Sequence, residues 1–331
     1  NILLFFIINM KSTVIACSNI AFVKYWGKLD KSKNIAMNSS ISMTLDENLS
    51  TKTTVEFSKE FKEDILILNN EKYSDNKLLR VSNFLDIIRQ KAKVDLFAKV
   101  ISINSFPTGT GIASSASGFS ALAAASTKAL GLTLTNEELA DYARLGSGSA
   151  SRSIFGGFVL WDSEHCHQIK DEKHWDKLRD IIVIVSSVEK KISSRAGMKK
   201  TVDTSTKYKQ RLTKVGKTIE VVQNAIIKKD FETLAINIMK DSDNMHECMF
   251  DTEPSLVYLN DTSNKIKEVV NKLNKNKIIA AYSFDAGPNA HIITRQENVE
   301  LITRELLKIF GVQVVVSKPG QGIKYSDDHL F

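Results

Sequence analysis

A chain of 331 residues is longer than a single compact core usually grows, so two lobes sharing a cleft are expected. Sparse glycine and proline, 15 and 4 residues, and well-mixed charges exclude a largely disordered chain. The formal charge of +7 does not point to nucleic acid: Lys207, Lys209, Arg211, Lys214 and Lys217 read as the solvated face of a helix, and no recognition motif accompanies them. An anionic small substrate explains a basic pocket equally well.

The three cysteines, Cys17, Cys166 and Cys248, are too scattered for a disulfide framework and fit a reducing, cytoplasmic compartment. His165, Cys166, His167 and His174 lack a paired zinc spacing and read as a surface loop. Residues 1–9 form an apolar run too short to cross a bilayer and without the features of a secretion signal, and Met10 reads as the start. Neither a membrane nor a nucleic-acid partner is expected.

In chain order, Thr13–Val23 suits a buried strand and Ser39–Phe57 alternates as β structure. Asn69 and Asn70 mark a hairpin turn, Asn76–Lys93 has helical periodicity, and Leu96–Ile103 returns to strand. The loop Phe106–Gly111 then leads into a helix of Ala, Ser and Leu over Ser114–Leu130. Thr135 caps a helix over Asn136–Arg144, Gly146–Ser153 interrupts, and Gly157–Trp161 and Ile181–Ser186 are strands. The distal half reads as helices over Ser205–Lys228, Phe231–Met245 and Asn264–Leu273, then strand Ile278–Phe284, strand His291–Thr294, helix Val299–Phe310 and strand Val312–Val316. The whole is an α+β chain of two lobes, 10–185 and 186–331.

Four segments carry chemistry. Gly109-Thr110-Gly111-Ile112-Ala113-Ser114-Ser115-Ala116-Ser117-Gly118 puts small residues where a loop enters a helix, which suits phosphate, although tight helix packing would use the same residues. It is not a Walker motif, since no Gly-Lys-Ser/Thr ends it. Gly146-Ser147-Gly148-Ser149-Ala150-Ser151-Arg152-Ser153 offers an arginine fork among small hydroxyl residues, suited to a carboxylate or simply a surface arginine. Phe284-Asp285-Ala286-Gly287-Pro288-Asn289 ends a strand with an acid, either a base or an Asx turn. Lys24-Tyr25-Trp26-Gly27-Lys28 flanks aromatics with lysines, which alone could be the rim of a core.

Together with Asn19-Ile20-Ala21-Phe22-Val23, these segments resemble, in colinear order from about Asn19 to the C-terminus, the diphosphomevalonate decarboxylases of the galactokinase, homoserine kinase, mevalonate kinase and phosphomevalonate kinase superfamily. The resemblance implies an N-terminal lobe like ribosomal protein S5 domain 2, a ferredoxin-like C-terminal lobe, an active site between them, and a homodimer. It implies ATP-dependent phosphorylation of the C3 hydroxyl of mevalonate 5-diphosphate, followed by loss of phosphate and carbon dioxide to give isopentenyl diphosphate. Mevalonate 5-phosphate is the alternative substrate, and a 3-kinase that does not decarboxylate is a further one.

By the same resemblance Asp285 would orient or deprotonate the hydroxyl, Arg152 would hold the C1 carboxylate, and Lys28 would neutralise phosphoryl oxygens and the surroundings of Asp285. Lys24, Tyr25, Lys28, Ser147, Ser149, Arg152, Ser194 and Arg195 would bind substrate. Pro107, Thr108, Gly109, Thr110, Gly111, Ile112, Ala113, Ser114, Ser115, Ala116 and Ser117 would cradle ATP, with Mg2+ accompanying it. Two stretches depart from the family pattern: Thr108-Gly109-Thr110-Gly111 stands for the usual Thr-Ala-Ala-Gly, and Met245-His246-Glu247-Cys248 matches the usual Met/Phe-His-Ala only in part.

Overall fold

A computed structural model describes residues 10–30, 32–106, 114–185 and 192–331. The run expected as one strand over Thr13–Val23 is two, β1 (Lys11–Cys17) and β2 (Asn19–Val23), which join different sheets at Ser18. Apolar periodicity reports burial on a face; it does not say which sheet receives the strand. After the short pair β3 (Lys28–Asp30) and β4 (Ile35–Ala36), Ser39–Phe57 divides in the same way into β5 (Ser40–Thr44) and β6 (Ser50–Ser58). The hairpin β7 (Ile65–Leu68) and β8 (Glu71–Tyr73) turns on Asn69 and Asn70, both at positive φ, the region asparagine tolerates better than most residues.

Helix α1 (Asn76–Ala92) begins on an Asp75 cap and ends on left-handed Lys93. It is followed by β9 (Phe97–Asn104), α2 (Ser114–Ala129) and α3 (Asn136–Gly146). Thr135 and Glu138 close a capping box on α3, which satisfies two otherwise orphaned donors. A 3-10 segment, Gly148–Ile154, then leads to β10 (Phe158–Trp161) and β11 (Cys166–Lys170). The region expected as a loop around Cys166 is therefore an edge strand with Cys166 buried, and His165 and His167 face Asp141 and Asp162.

The first lobe holds two sheets, β16-β1-β6-β9-β7-β8 and β11-β10-β5-β2, with α1, α2 and α3 sealing an apolar core that includes Val55, Phe84, Leu85, Leu122 and Trp161. Strand β16 (Lys324–Ser326) belongs to it although it lies near the chain's end. The second lobe is built on the sheet β13-β14-β12-β15. Its members are β12 (Leu178–Ile184), β13 (Ala280–Phe284), β14 (Ala290–Arg295) and β15 (Gln313–Ser317). In chain order this is strand, helices, strand, strand, helix, strand, with the β-α-β-β-α-β connectivity and strand order of a ferredoxin-like unit. The helices are α4 (Ser194–Thr204), α5 (Thr206–Lys228), α6 (Phe231–Phe250), α7 (Asp261–Leu273) and α8 (Val299–Leu306). A division at 186 would leave β12 with the first lobe, yet both its partners, β14 and β15, are in the second.

Successive strand residues face opposite sides, and this sheet uses both. Ile181, Val183, Tyr282 and Phe284 pack on Ile266 and Val270 of α7 and on Ile302 and Leu306 of α8. Ile182, Ala281 and Ile293 pack with α5, α6 and the β2–β5 sheet, so this second core joins the lobes. Arg211, expected on a solvated face of α5, is 3% exposed in this seam; its guanidinium pairs with buried Asp241 at 2.8 Å. Among the described residues no helix is long and apolar enough to cross a membrane.

Candidate active site

A cavity of about 470 Å³ opens between the lobes. The first lobe contributes Asn19, Lys24, Tyr25, Lys28, Arg80, Ser115 and the turn Ser147–Arg152; the second contributes Ser193, Ser194, Arg195, Met245 and Asp285. Ser283 donates its hydroxyl to the Ala21 carbonyl, and Asp285, two residues on, comes to the same β2 side. There Lys24 Nζ meets Asp285 Oδ1 at 2.8 Å and also donates to the Ala21 carbonyl at 3.0 Å.

Arg152 is 3% exposed and fixed on three sides. Its Nε and Nη2 donate to Asn19 Oδ1 at 3.2 and 2.9 Å, and its Nη1 donates to Ser40 Oγ at 2.9 Å. Asn19 is oriented in turn, because its amide donates to the Ser149 carbonyl and to Ser153 Oγ. The rings of Tyr25 and Trp161 lie 5.6 and 6.0 Å from the guanidinium carbon. Of five guanidinium N–H groups, these bonds use three, leaving one on each terminal nitrogen, a fork that matches a carboxylate. Burial pushes the Arg152 pKa down and the Tyr25 pKa up, so the phenol is a neutral donor beside a desolvated cation.

Opposite this clamp is a cluster of positive charge. Lys28, held by Asn34 Oδ1, has its pKa lowered to about 8, first by burial and then by Arg195 and Arg80. Arg80 is likewise depressed, by burial and by Arg195. Three cations this close are costly unless an anion joins them. Ser193 caps α4 by accepting from Ala196 N–H, so Ser194 and Arg195 sit in its first turn, where free amides and the helix dipole add to the pull on anions.

A second cavity, about 710 Å³, shares Arg80 and Ser115 with the first. Its lining mixes apolar Leu66, Leu68, Val81, Phe119 and Leu122 with polar Asn69, Ser102 and Asn104, as suits a flat heterocycle with polar edges.

Two family models match the chain: diphosphomevalonate decarboxylase-like N-terminal domain over residues 16–172, and mevalonate 5-diphosphate decarboxylase C-terminal domain over 180–327. The chain belongs to the diphosphomevalonate decarboxylase family. The Candida albicans diphosphomevalonate decarboxylase is 40% identical over 320 residues, 91% of this chain and 88% of that protein. Mevalonate diphosphate decarboxylase from Staphylococcus aureus superposes with a TM-score of 0.92 at 35% identity, over 96% of this chain and 98% of that one. A structure of MDDEF in complex with MVAPP, AMPPCP and magnesium gives 0.91 at 37% identity, with the same coverage of both chains.

Of the family residues expected from sequence, Lys24, Tyr25, Lys28, Ser115, Ser147, Ser149, Arg152, Ser194, Arg195 and Asp285 all line the interlobe cavity. Pro107, Thr108, Gly109, Thr110, Gly111, Ile112 and Ala113 lie outside the described residues. Ser114 opens α2. Ala116 and Ser117 differ from expectation: both are fully buried, and Ser117 Oγ bonds Thr51 Oγ1 at 2.7 Å inside the core. A helix turns about 100° per residue, so Ser115, Gly118, Phe119 and Leu122 share the cavity face and the residues between them turn away.

The two lysines are also placed differently from expectation. Among the described residues the cation paired with Asp285 is Lys24 rather than Lys28, and Lys24, expected on the diphosphate, is 3% exposed with its ammonium 2.8 Å from Asp285 Oδ1. Lys28 lies past the turn at Gly27, on the side of Arg80 and Arg195. Residues missed from sequence are Asn19 as an orienter of Arg152, and Arg80. The latter looks like any arginine on an amphipathic helix until α1 is packed.

Proposed function

We propose that Asp285, Arg152 and the Lys28–Arg80–Arg195 cluster divide the chemistry of an ATP-dependent decarboxylase acting on mevalonate 5-diphosphate. The chain is an enzyme of this class, and the product is isopentenyl diphosphate, released with ADP, phosphate and carbon dioxide. The observation that carries the residue assignment is one cavity holding a buried guanidinium with two free N–H groups, a carboxylate paired to Lys24, and three crowded cations.

Asp285 orients the C3 hydroxyl toward the γ-phosphate and accepts its proton. Its ion pair with Lys24 holds the carboxylate in place, and little general-base strength is needed where phosphoryl transfer is largely dissociative and the proton moves late. Lys28, Arg80 and Arg195 hold phosphate oxygens and offset their charge in a site of low dielectric. Once the tertiary oxygen carries phosphate, it can leave: the C3–O bond breaks, the C1–C2 bond pair forms the C2–C3 double bond, and C1 departs as carbon dioxide. Arg152 holds the C1 carboxylate aligned for that fragmentation, while Asn19 and Ser40 keep the fork from turning.

ATP and Mg2+ are the cofactors. The crowded cations fit an anionic nucleotide, and the second cavity would take its base. Among the described residues no group of three or more His, Cys, Asp or Glu side chains converges on a metal site. Magnesium usually keeps several waters and binds through substrate phosphates, and Ser115 at the start of α2 offers a hydroxyl that lines both cavities. Bound there, magnesium would offset the charge on the transferring phosphoryl group.

A cytoplasmic location is supported by three cysteines that are all free and buried, as reducing compartments favour. A homodimer is supported by the open edge of β15 beside exposed Val316 and Leu307, since unpaired strand edges invite a partner. Light scattering of the purified chain reads that state directly.

The deciding experiment supplies mevalonate 5-diphosphate and mevalonate 5-phosphate separately and counts ADP and carbon dioxide. Equal release of both products, with the diphosphate turned over preferentially, is expected. Preference for the monophosphate, or ADP with a stable 3-phosphorylated product, would overturn the assignment.

A further inference from the structure

Two adjacent residues of α6 grip the two chain positions that bring Lys24 and Asp285 together. Asp241 Oδ2 accepts the Lys24 backbone N–H at 2.8 Å. Ser242 Oγ accepts the N–H of Phe284, the residue before Asp285, at 2.9 Å. One turn of helix thus fixes the end of β2 from the first lobe and the end of β13 from the second. Arg211 of α5 completes the arrangement: its Nη2 pairs with Asp241 Oδ1 at 2.8 Å and donates to the Lys24 carbonyl at 2.7 Å. Both polar groups of the Lys24 backbone are therefore held by one buried ion pair, and neither Asp241, Ser242 nor Arg211 lines the cavity.

A buried ion pair is an expensive way to gain stability, because desolvation offsets most of its attraction, whereas its directional bonds fix geometry. We infer that Asp241 and Ser242, backed by Arg211, are positioning residues for phosphorylation: they set the Lys24–Asp285 pair across the lobe junction. This rests on the reading of Asp285 as the residue that handles the C3 hydroxyl. Without the α6 grip, Lys24 Nζ drifts from Asp285, and the carboxylate loses its aim. Among the described residues, Arg152 and Tyr25 from the first lobe and His246 from α6 also act on Asp285 electrostatically. Burial pushes the His246 pKa down to about 4.

The test replaces the ion pair as a unit. Asp241→Leu with Arg211→Met leaves no unpaired buried charge and so separates folding from positioning. Since misplacement of about 1 Å can cost about a hundredfold in rate, kcat should fall by about 10- to 100-fold. KM for ATP and for mevalonate 5-diphosphate should hold. Asp241→Asn with Arg211→Met restores an acceptor for the Lys24 N–H and should recover much of kcat. Unchanged kcat in the first double variant, a loss that comes with raised KM values, or no recovery in the second would overturn the positioning role. Asp285→Asn is assayed in parallel. Retained turnover there overturns the assignment of Asp285 and this inference with it, while its loss beside an unaffected double variant overturns the inference alone.

Discussion

The Asn19 carboxamide oxygen accepts two N–H groups from Arg152, at 3.2 and 2.9 Å, across 133 positions of chain. A single side chain from the start of β2 thus sets the plane of the guanidinium on the 3-10 turn, and the clamp can work only with a planar, forked cation.

Arg152→Lys keeps the charge and loses the fork. Two charge-assisted hydrogen bonds to the carboxylate, each worth about 1.5 kcal/mol or more, are at stake. Steady-state assays should show kcat/KM lower by about a hundredfold or more, with the thermal midpoint shifting only modestly. Near-normal turnover would remove the carboxylate clamp.

Lys28 governs the alkaline side. Its pKa is lowered to about 8 by burial and neighbouring guanidinium groups, so the free enzyme loses a phosphate-binding charge as pH rises through that value. The kcat/KM profile should fall on its basic limb near there, and Lys28→Arg should move that limb upward, because guanidinium stays charged. For stability the sign is opposite. The unfolded chain keeps this proton up to about 10.5 and so binds more protons across the interval between the two values, where this residue's contribution to stability rises with pH. Urea titrations at several pH values, compared with Lys28→Met, read this directly.

The second cavity can be filled without disturbing the core. A Cβ at Gly118 has nothing within 4 Å, and the position lines that cavity next to Phe119. Gly118→Ala should leave kcat unchanged and stabilise α2 by about 0.5–1 kcal/mol. Gly118→Leu should raise KM for ATP severalfold while sparing that for mevalonate 5-diphosphate. An unaltered ATP KM in the leucine variant would place the nucleoside elsewhere.

Gly27 adopts φ +86°, and a Cβ there would collide with Tyr208 Oη, which itself donates to the Trp26 carbonyl. Gly27→Ala should cost about 1–3 kcal/mol in chemical denaturation. It should also lower activity through Lys28, one residue on.

Much of this was legible in the sequence where the signal is local. The Thr135 cap, the Asn69–Asn70 turn and most of the distal helices lie where the sequence puts them, since side-chain chemistry and apolar period decide such features within a few residues. The resemblance to the family placed Asp285 and Arg152 in one site. Besides the hold of Asn19 on Arg152, three things escaped, each decided at a distance. Arg211 has the sequence setting of a surface residue, and only packing of α5 on α6 buries it against Asp241. Arg80 becomes a site residue only once α1 is packed, when it lines both cavities. Helix α4 has a weak apolar pattern, and its first turn matters for where it points.

Strand β16 pairs with β1, after the stretch before it has bonded along the first lobe: Gly157 N–H donates to the Gly320 carbonyl, and Gly320 N–H donates to the Thr44 carbonyl. The first lobe is therefore not a contiguous piece of the chain. A fragment ending near residue 180 would expose the backbone of β1 that β16 normally covers, while one starting there would carry a loose tail with no sheet to join. Produced separately, the halves should aggregate; produced together, they should find each other through that tail, so a split enzyme would be reassembled by its last few residues rather than by its catalytic cleft.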